Sequence, residues 1–204
     1  MTVAEANVAA ATVDLPPLPV RRFSVTEYHQ LIRSGFFAAA DRYELLEGYV
    51  VPKKSCDPIH GATVSIIHEL LLTVVPKGWH IRNQCAATTT DSEREPDLAI
   101  VRGSPRDYLD HHPGPRDIGL IIEVANSSLE RDRIVKQRIL ARAGVAAYWV
   151  VNIPQRKIEL FSEPPSQGQA VTYLRSTIFG EDEAIEISLD DTAIATLSVR
   201  DLLP

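Results

Sequence analysis

The sequence predicts an α/β domain in which a mixed central β-sheet is flanked by α-helices. Three features carry this. LAIV (98–101) and IGLIIEV (118–124) are unbroken apolar runs of strand length, the pattern of central strands buried on both faces. LERDRIVKQRILARAG (129–144), closed by Gly144, reads as a helix between the second run and a third strand, AAYWVVNI (146–153). GATVSIIHELLLTVV (61–75) repeats Val64, Ile67, Leu71 and Val74 at helical spacing, which makes it an amphipathic helix.

The remaining elements follow in order. Residues 1–20 read as a flexible tail, interrupted by Pro16, Pro17 and Pro19, and a single domain is expected over 21–204. SVTEYHQLIRSG is a helix with Ser24 as N-cap, Glu27 as its capping-box partner and Gly35 at its end. YELLEGYVVPK reads as strand–turn–strand about Glu47-Gly48. Pro76-Lys77-Gly78 ends the helix after it, and WHIRNQCAATTT is β-rich. Residues 102–117 form a polar, proline-containing loop. KIELF pairs with AAYWVVNI through a turn at Pro154-Gln155; AVTYLRS and AIEISL are expected as edge strands, and SVRDLLP as a short terminal helix.

The bulk properties narrow the class. A chain of 204 residues suffices for one sizeable core, and no apolar run is long enough to span a membrane. The N-terminus lacks the basic residues of a secretory signal. Cys56 and Cys85 form no CxxC pair and read as reduced thiols, so a cytoplasmic protein is expected. A net charge of −6 argues against a non-specific nucleic-acid coat protein but is compatible with a local basic patch, for which Arg131, Arg133, Lys136, Arg138 and Arg142 are candidates.

The chemistry centres on two carboxylates. Asp97 follows Pro96 at the mouth of an apolar strand, and Glu123 ends another. A carboxylate there is costly unless it is paired or holds a cation. Together they suit an oxygen-ligand site for Mg²⁺ or Mn²⁺, to which the Val124 backbone carbonyl can contribute. Asp132 and Lys136 lie four apart on one helix face, and Lys136 is placed to act on water or on developing phosphate charge, as base or as electrostatic stabiliser. His111-His112 reads as a surface loop pair, and Tyr148-Trp149 as core packing rather than base-stacking groups.

The pieces VTEYHQL, RYELLEGYVV, EPDLAIV, LIIEVANSSLERDRIVK and ARAGVAAYWVVN together resemble the PD-(D/E)xK nuclease superfamily, and within it the bacterial Uma-two family of restriction-type endonucleases. The resemblance implies a restriction-endonuclease-like core and metal-dependent cleavage of DNA. It implies metal ligation by Asp97 and Glu123, with Glu44 as a further acidic residue. The third position of the (D/E)xK triplet is Ala125; the resemblance places the lysine instead on the helix, at Lys136. His60 and Gln84 also match family positions and, with Arg133, are candidate substrate contacts. Two other readings remain open: a binding module that does not cut, and a hydrolase of another phosphoester. By analogy with restriction-type folds, a homodimer is expected through an exposed edge near residues 171–188, with DNA as partner.

Overall fold

The computed structural model describes residues 19–38, 42–53, 57–166 and 171–204. Most of the expected tail, and Cys56, lie outside these residues. Helix α1 (Val25–Arg33) leads into the hairpin β1 (Tyr43–Leu46) and β2 (Tyr49–Pro52), then α2 (Pro58–Val74), β3 (Trp79–Asn83), β4 (Ala87–Thr88), β5 (Glu93–Arg94), β6 (Leu98–Arg102) and β7 (Ile118–Ala125). Helix α3 follows in three pieces: Leu129–Arg131, a π-turn Asp132–Lys136, and Gln137–Ala143. The chain closes with β8 (Ala147–Asn152), β9 (Lys157–Ser162), β10 (Arg175–Gly180), β11 (Ala184–Leu189) and β12 (Thr192–Ser198).

Local chemistry sets the boundaries. Ser24 and Glu27 exchange the two hydrogen bonds of a capping box, Glu27 N to Ser24 Oγ at 3.2 Å and Ser24 N to Glu27 Oε2 at 2.9 Å. Glu47 (φ 50°) and Gly48 (φ 81°) both take the left-handed conformation of a two-residue hairpin turn. A Cβ on Gly48 would meet Arg22 Cβ at 2.6 Å, so glycine is required there for space as well. Asp57 caps α2, accepting the His60 N–H at 2.9 Å, with Pro58 at the first helical position.

The main sheet runs β10-β9-β8-β7-β6-β3 and is mixed: β7 and β8 are parallel, and every other pair is antiparallel. All eight residues of β7 are buried, as expected for a central strand. Helix α3 makes the crossover that a parallel pair demands. Side-chain alternation divides β6 and β7 between two core layers. Leu98, Ile100, Leu120, Ile122 and Val124 pack with α2, β11 and the C-terminal Val199 and Leu202. Ala99, Val101, Ile121 and Ala125 pack with Leu140 and Ala141 of α3. A second sheet, β2-β1-β5-β4, stands beside the first.

The fold class expected from the sequence is the one observed, with local differences. The tenth strand is Arg175–Gly180 rather than AVTYLRS, and β11 pairs with β12 in a separate hairpin rather than edging the main sheet. β12, TAIATLS, was not anticipated, because its burial scarcely alternates. The hairpin seats against Gly119, where a Cβ would lie 2.4 Å from Leu189 Cδ2 and 2.9 Å from the Trp79 ring. The chain ends in a single 3₁₀ turn, Arg200–Leu202. Among the described residues, no helix is long and apolar enough to cross a membrane.

Candidate active site

The alternation that buries Ala99 and Ile121 under α3 points Glu123 to the same face, and the Pro96-Asp97 step delivers Asp97 beside it. Asp97 Oδ2 accepts the Val124 N–H at 2.9 Å and lies 3.0 Å from His60 Nε2. Burial alone would raise the Asp97 pKa. The hydrogen bond and charge of His60, the Val124 N–H and the Lys136 ammonium outweigh burial and hold the carboxyl below its usual range. In an antiparallel pairing, a residue's N–H and C=O point to the same side of its strand. The Val124 carbonyl therefore shares the Asp97 side.

Glu123 is 3% exposed. Burial pushes its pKa up to about 7; Lys136 opposes the shift, while Asp97 and Asp132 add to it. The π-turn brings the opposing cation. Asp132 and Lys136, four apart within it, share its inward face and are both buried. Lys136 Nζ lies 3.0 Å from Glu123 Oε1 and 3.1 Å from Asp132 Oδ1. Neither contact is aligned as a hydrogen bond, so both carboxylate oxygens keep a lone pair unused. Burial acts to lower the Lys136 pKa, but Glu123, Asp132 and Glu44 together raise it above its ordinary value.

Glu44, His60, Gln84, Asp97, Glu123, Val124 and Lys136 all line one cleft. Glu44 Oε1 accepts the Glu95 N–H at 2.9 Å, and Arg42 pairs with the Glu95 carboxylate. Gln84 holds φ 47° and donates its N–H to the Asp97 carbonyl at 3.1 Å, a strained position directly behind the carboxylate.

Arg133 does not join them. Its guanidinium is held by Glu159, Nε to Oε2 at 2.6 Å, on the far side of β8. The expected basic patch is likewise dispersed: Arg138 and Arg142 bind Glu47, and Lys136 is inside the site. A one-residue step turns a helical side chain by about 100°, so Arg133, next to the inward-facing Asp132, falls on another face.

Several cleft residues were not picked out from sequence. Asn126 Nδ2 donates to Asp57 Oδ2 at 2.8 Å, tying the end of β7 to the cap of α2. Arg42 and Lys53 join Arg131, a member of the expected patch, in a basic rim, with Lys53 Nζ donating to the Glu95 carbonyl at 2.7 Å. Arg94 is fully buried over the Tyr148 ring, 5.9 Å from its centroid. Arg42 and Lys53 flank the β1–β2 hairpin, where the Lys53 N–H donates to the Arg42 carbonyl at 2.9 Å, and Arg131 comes from α3, so no single local motif marks the rim.

The oxygen donors of Asp97, Glu123 and the Val124 carbonyl, with unused lone pairs on Glu123, fit a hard divalent cation that keeps several waters. Among the described residues, no group of three or more His, Cys, Asp or Glu side chains converges as a complete cage. Such a cation would thus rest on two carboxylates.

A mixed sheet flanked by helices, with this cleft at the end of its central strands, defines a restriction-endonuclease-like fold. Residues 25–196 match the Uma2 family model, described as "Putative restriction endonuclease", and the chain belongs to that family. The family is nuclease-like, with nucleic acid as its substrate class. A crystal structure of "a putative nuclease belonging to DUF820" from Anabaena variabilis has the same fold, with a TM-score of 0.67 over 88% of this chain and 97% of that one, at 16% sequence identity. No curated protein matches the sequence.

Proposed function

We propose that this chain is a divalent-metal-dependent endonuclease that hydrolyses DNA phosphodiester bonds, with Asp97, Glu123 and the Val124 carbonyl holding Mg²⁺ or Mn²⁺ and Glu44 beside them. The observation that carries this reading is the charge imbalance of the site. Glu44, Asp97, Glu123 and Asp132 are four buried acids, set against Lys136, His60 beside Asp97 and the more distant Arg94. Buried charge of one sign is expensive without a compensating partner, and a divalent cation in the cleft supplies it.

When bound, the metal supplies Lewis-acid polarisation of the phosphate and acidification of water. The chain does the rest. His60 and the Val124 N–H fix the Asp97 carboxylate through its Oδ2 atom. Lys136, with its pKa raised, stays an ammonium at neutral pH. That favours the electrostatic role, holding charge on the phosphate, over the role of base. Arg42, Lys53 and Arg131 on the rim are placed to contact flanking phosphates.

Ala125 in the triplet and the net charge of −6 favour a second reading, a module on the same fold that binds nucleic acid or another protein and does not cut. The deciding experiment is cleavage of plasmid, linear duplex and single-stranded DNA with Mg²⁺ or Mn²⁺, beside calorimetric Mn²⁺ binding. Cutting that disappears in Asp97→Asn supports the nuclease. Metal binding with no cutting of DNA points to another phosphoester, and neither activity points to the binding module.

A further inference from the structure

A second pocket stands beside the cleft. Its volume is about 310 Å³, the size that takes one small ligand. Gln84 lines both spaces. Glu95, also in the pocket lining, sends its carboxylate to Arg42 and Lys53 on the rim of the cleft and its N–H to Glu44. Gln84 and Glu95 thus form the partition between pocket and cleft. A base is joined to its phosphate by one sugar, so a strand lying in the cleft passes this pocket with a base in reach.

Strand register brings a cation to the pocket. Arg82 on β3 lies opposite Ala99, and Ala99 opposite Ile121, so Arg82 stands on the same face of the sheet as Glu123. Its guanidinium is held over the Tyr108 ring, 5.7 Å from the centroid. Among the described residues it forms no ion pair, and its buried Nε has no hydrogen-bond partner. A buried donor left unused is costly, and an acceptor on a ligand would relieve that cost. Glu93 lines the same pocket. Its carboxylate, 5% exposed, is pinned by the Thr88 hydroxyl at 2.6 Å and by His29 Nε2 at 2.7 Å. Tyr43 adds an aromatic wall, its ring packed on Phe37 with centroids 4.6 Å apart. A phosphate would satisfy Arg82 but would meet the Glu93 carboxylate as a like charge. A neutral base with acceptors and an amino group satisfies both. Guanine carries them: O6 and N7 are the commonest arginine partners among base atoms, and its amino group donates.

We propose that this pocket receives one unpaired base of the strand in the cleft and prefers guanine, with Arg82 donating to the O6/N7 edge and Glu93 accepting from the amino group. Tyr43 offers the ring face on which bases stack. A base held in a stacked pair cannot enter, so the substrate is single-stranded DNA or a duplex from which one nucleotide is extruded. The proposal rests on the nuclease reading for the identity of the strand in the cleft; it needs no metal and no cutting.

Cys85 is exposed and lines the pocket, so its reactivity reports on occupancy. Alkylation of Cys85 by iodoacetamide, resolved from Cys56 by peptide mass mapping, is expected to slow at least about threefold with millimolar dGMP and to be unchanged by dTMP. Equal protection by the two nucleotides, which would make this a phosphate site, overturns the proposal, as does protection by neither. A second measurement is metal-free binding of labelled single-stranded oligo-dT with and without a single dG. The wild type is expected to favour the dG strand by about tenfold and Arg82→Met to bind both alike. Equal affinity of the wild type for the two strands, or a dG preference that survives in Arg82→Met, overturns the proposal. If neither strand binds, the DNA reading falls, and the dGMP measurement still decides the pocket. If Arg82→Met does not fold, the wild-type nucleotide protection decides alone.

Discussion

Lys136 reaches from the π-turn of α3 to within 3.0 Å of Glu123 on β7 while also touching Asp132 at 3.1 Å, so one ammonium serves two buried carboxylates. Removing it strands both. Lys136→Met is expected to cost about 3–5 kcal/mol at neutral pH, measured by urea unfolding. The cost should shrink toward pH 5, where Glu123, whose pKa burial pushes up to about 7, is neutral by protonation. An equal loss at both pH values would show that the ion pair is not what holds α3 in place.

Asp97→Asn keeps an oxygen that can accept the Val124 N–H, so the fold is expected to survive with a melting temperature within a few degrees of the wild type. The loss of one of two carboxylate ligands should weaken Mn²⁺ binding by about 100-fold or more. Calorimetry on the folded variant checks this, and undiminished affinity would move the metal elsewhere.

Metal binding should depend on pH through Glu123. Burial raises its pKa to about 7, so it is mostly protonated at pH 5.5 and mostly ionised at pH 8. A cation must displace that proton, and Mn²⁺ affinity is expected to fall by about 30-fold between pH 8 and pH 5.5. The stability linkage runs in the opposite sense. With the folded pKa above the ordinary 4.5, the contribution of Glu123 to apo stability is full below pH 4.5 and is lost as pH rises through about 7. Glu123→Gln should flatten that part of the apo stability profile.

Gly119→Ala puts a methyl where Leu189 Cδ2 and the Trp79 ring already stand. A loss of about 1–3 kcal/mol is expected. Leu189→Ala, tested in the same background, should recover part of it. Additive losses would show that the β11–β12 hairpin is not seated on this glycine.

Arg133→Ala removes the guanidinium from Glu159 and nothing from the cleft. Metal and DNA affinity should stay within about twofold of wild type, and the half-exposed pair should cost about 1 kcal/mol.

The central strands were legible because LAIV and IGLIIEV have no polar face, and Asp97 and Glu123 were legible because they interrupt such runs. What sequence hides is register around the π-turn. Asp132 and Lys136, four apart, share the inward face of this turn, while Arg133, one residue after Asp132, falls on another face and meets Glu159. Arg131 was legible within the basic run, but Arg42 and Lys53, at the open end of the β1–β2 hairpin, reach the same rim only through the fold. β12 was missed because a hairpin lying over a sheet buries its residues unevenly.

Strand direction has a consequence for how the two carboxylates meet. β6 and β7 run antiparallel, with Leu98 opposite Ile122. Asp97, just ahead of β6, and Glu123, near the end of β7, therefore fall at the same rim of the sheet. Were the two strands parallel, the same two positions would lie apart along the sheet, at the start of one strand and the end of the other, and no cation could span them.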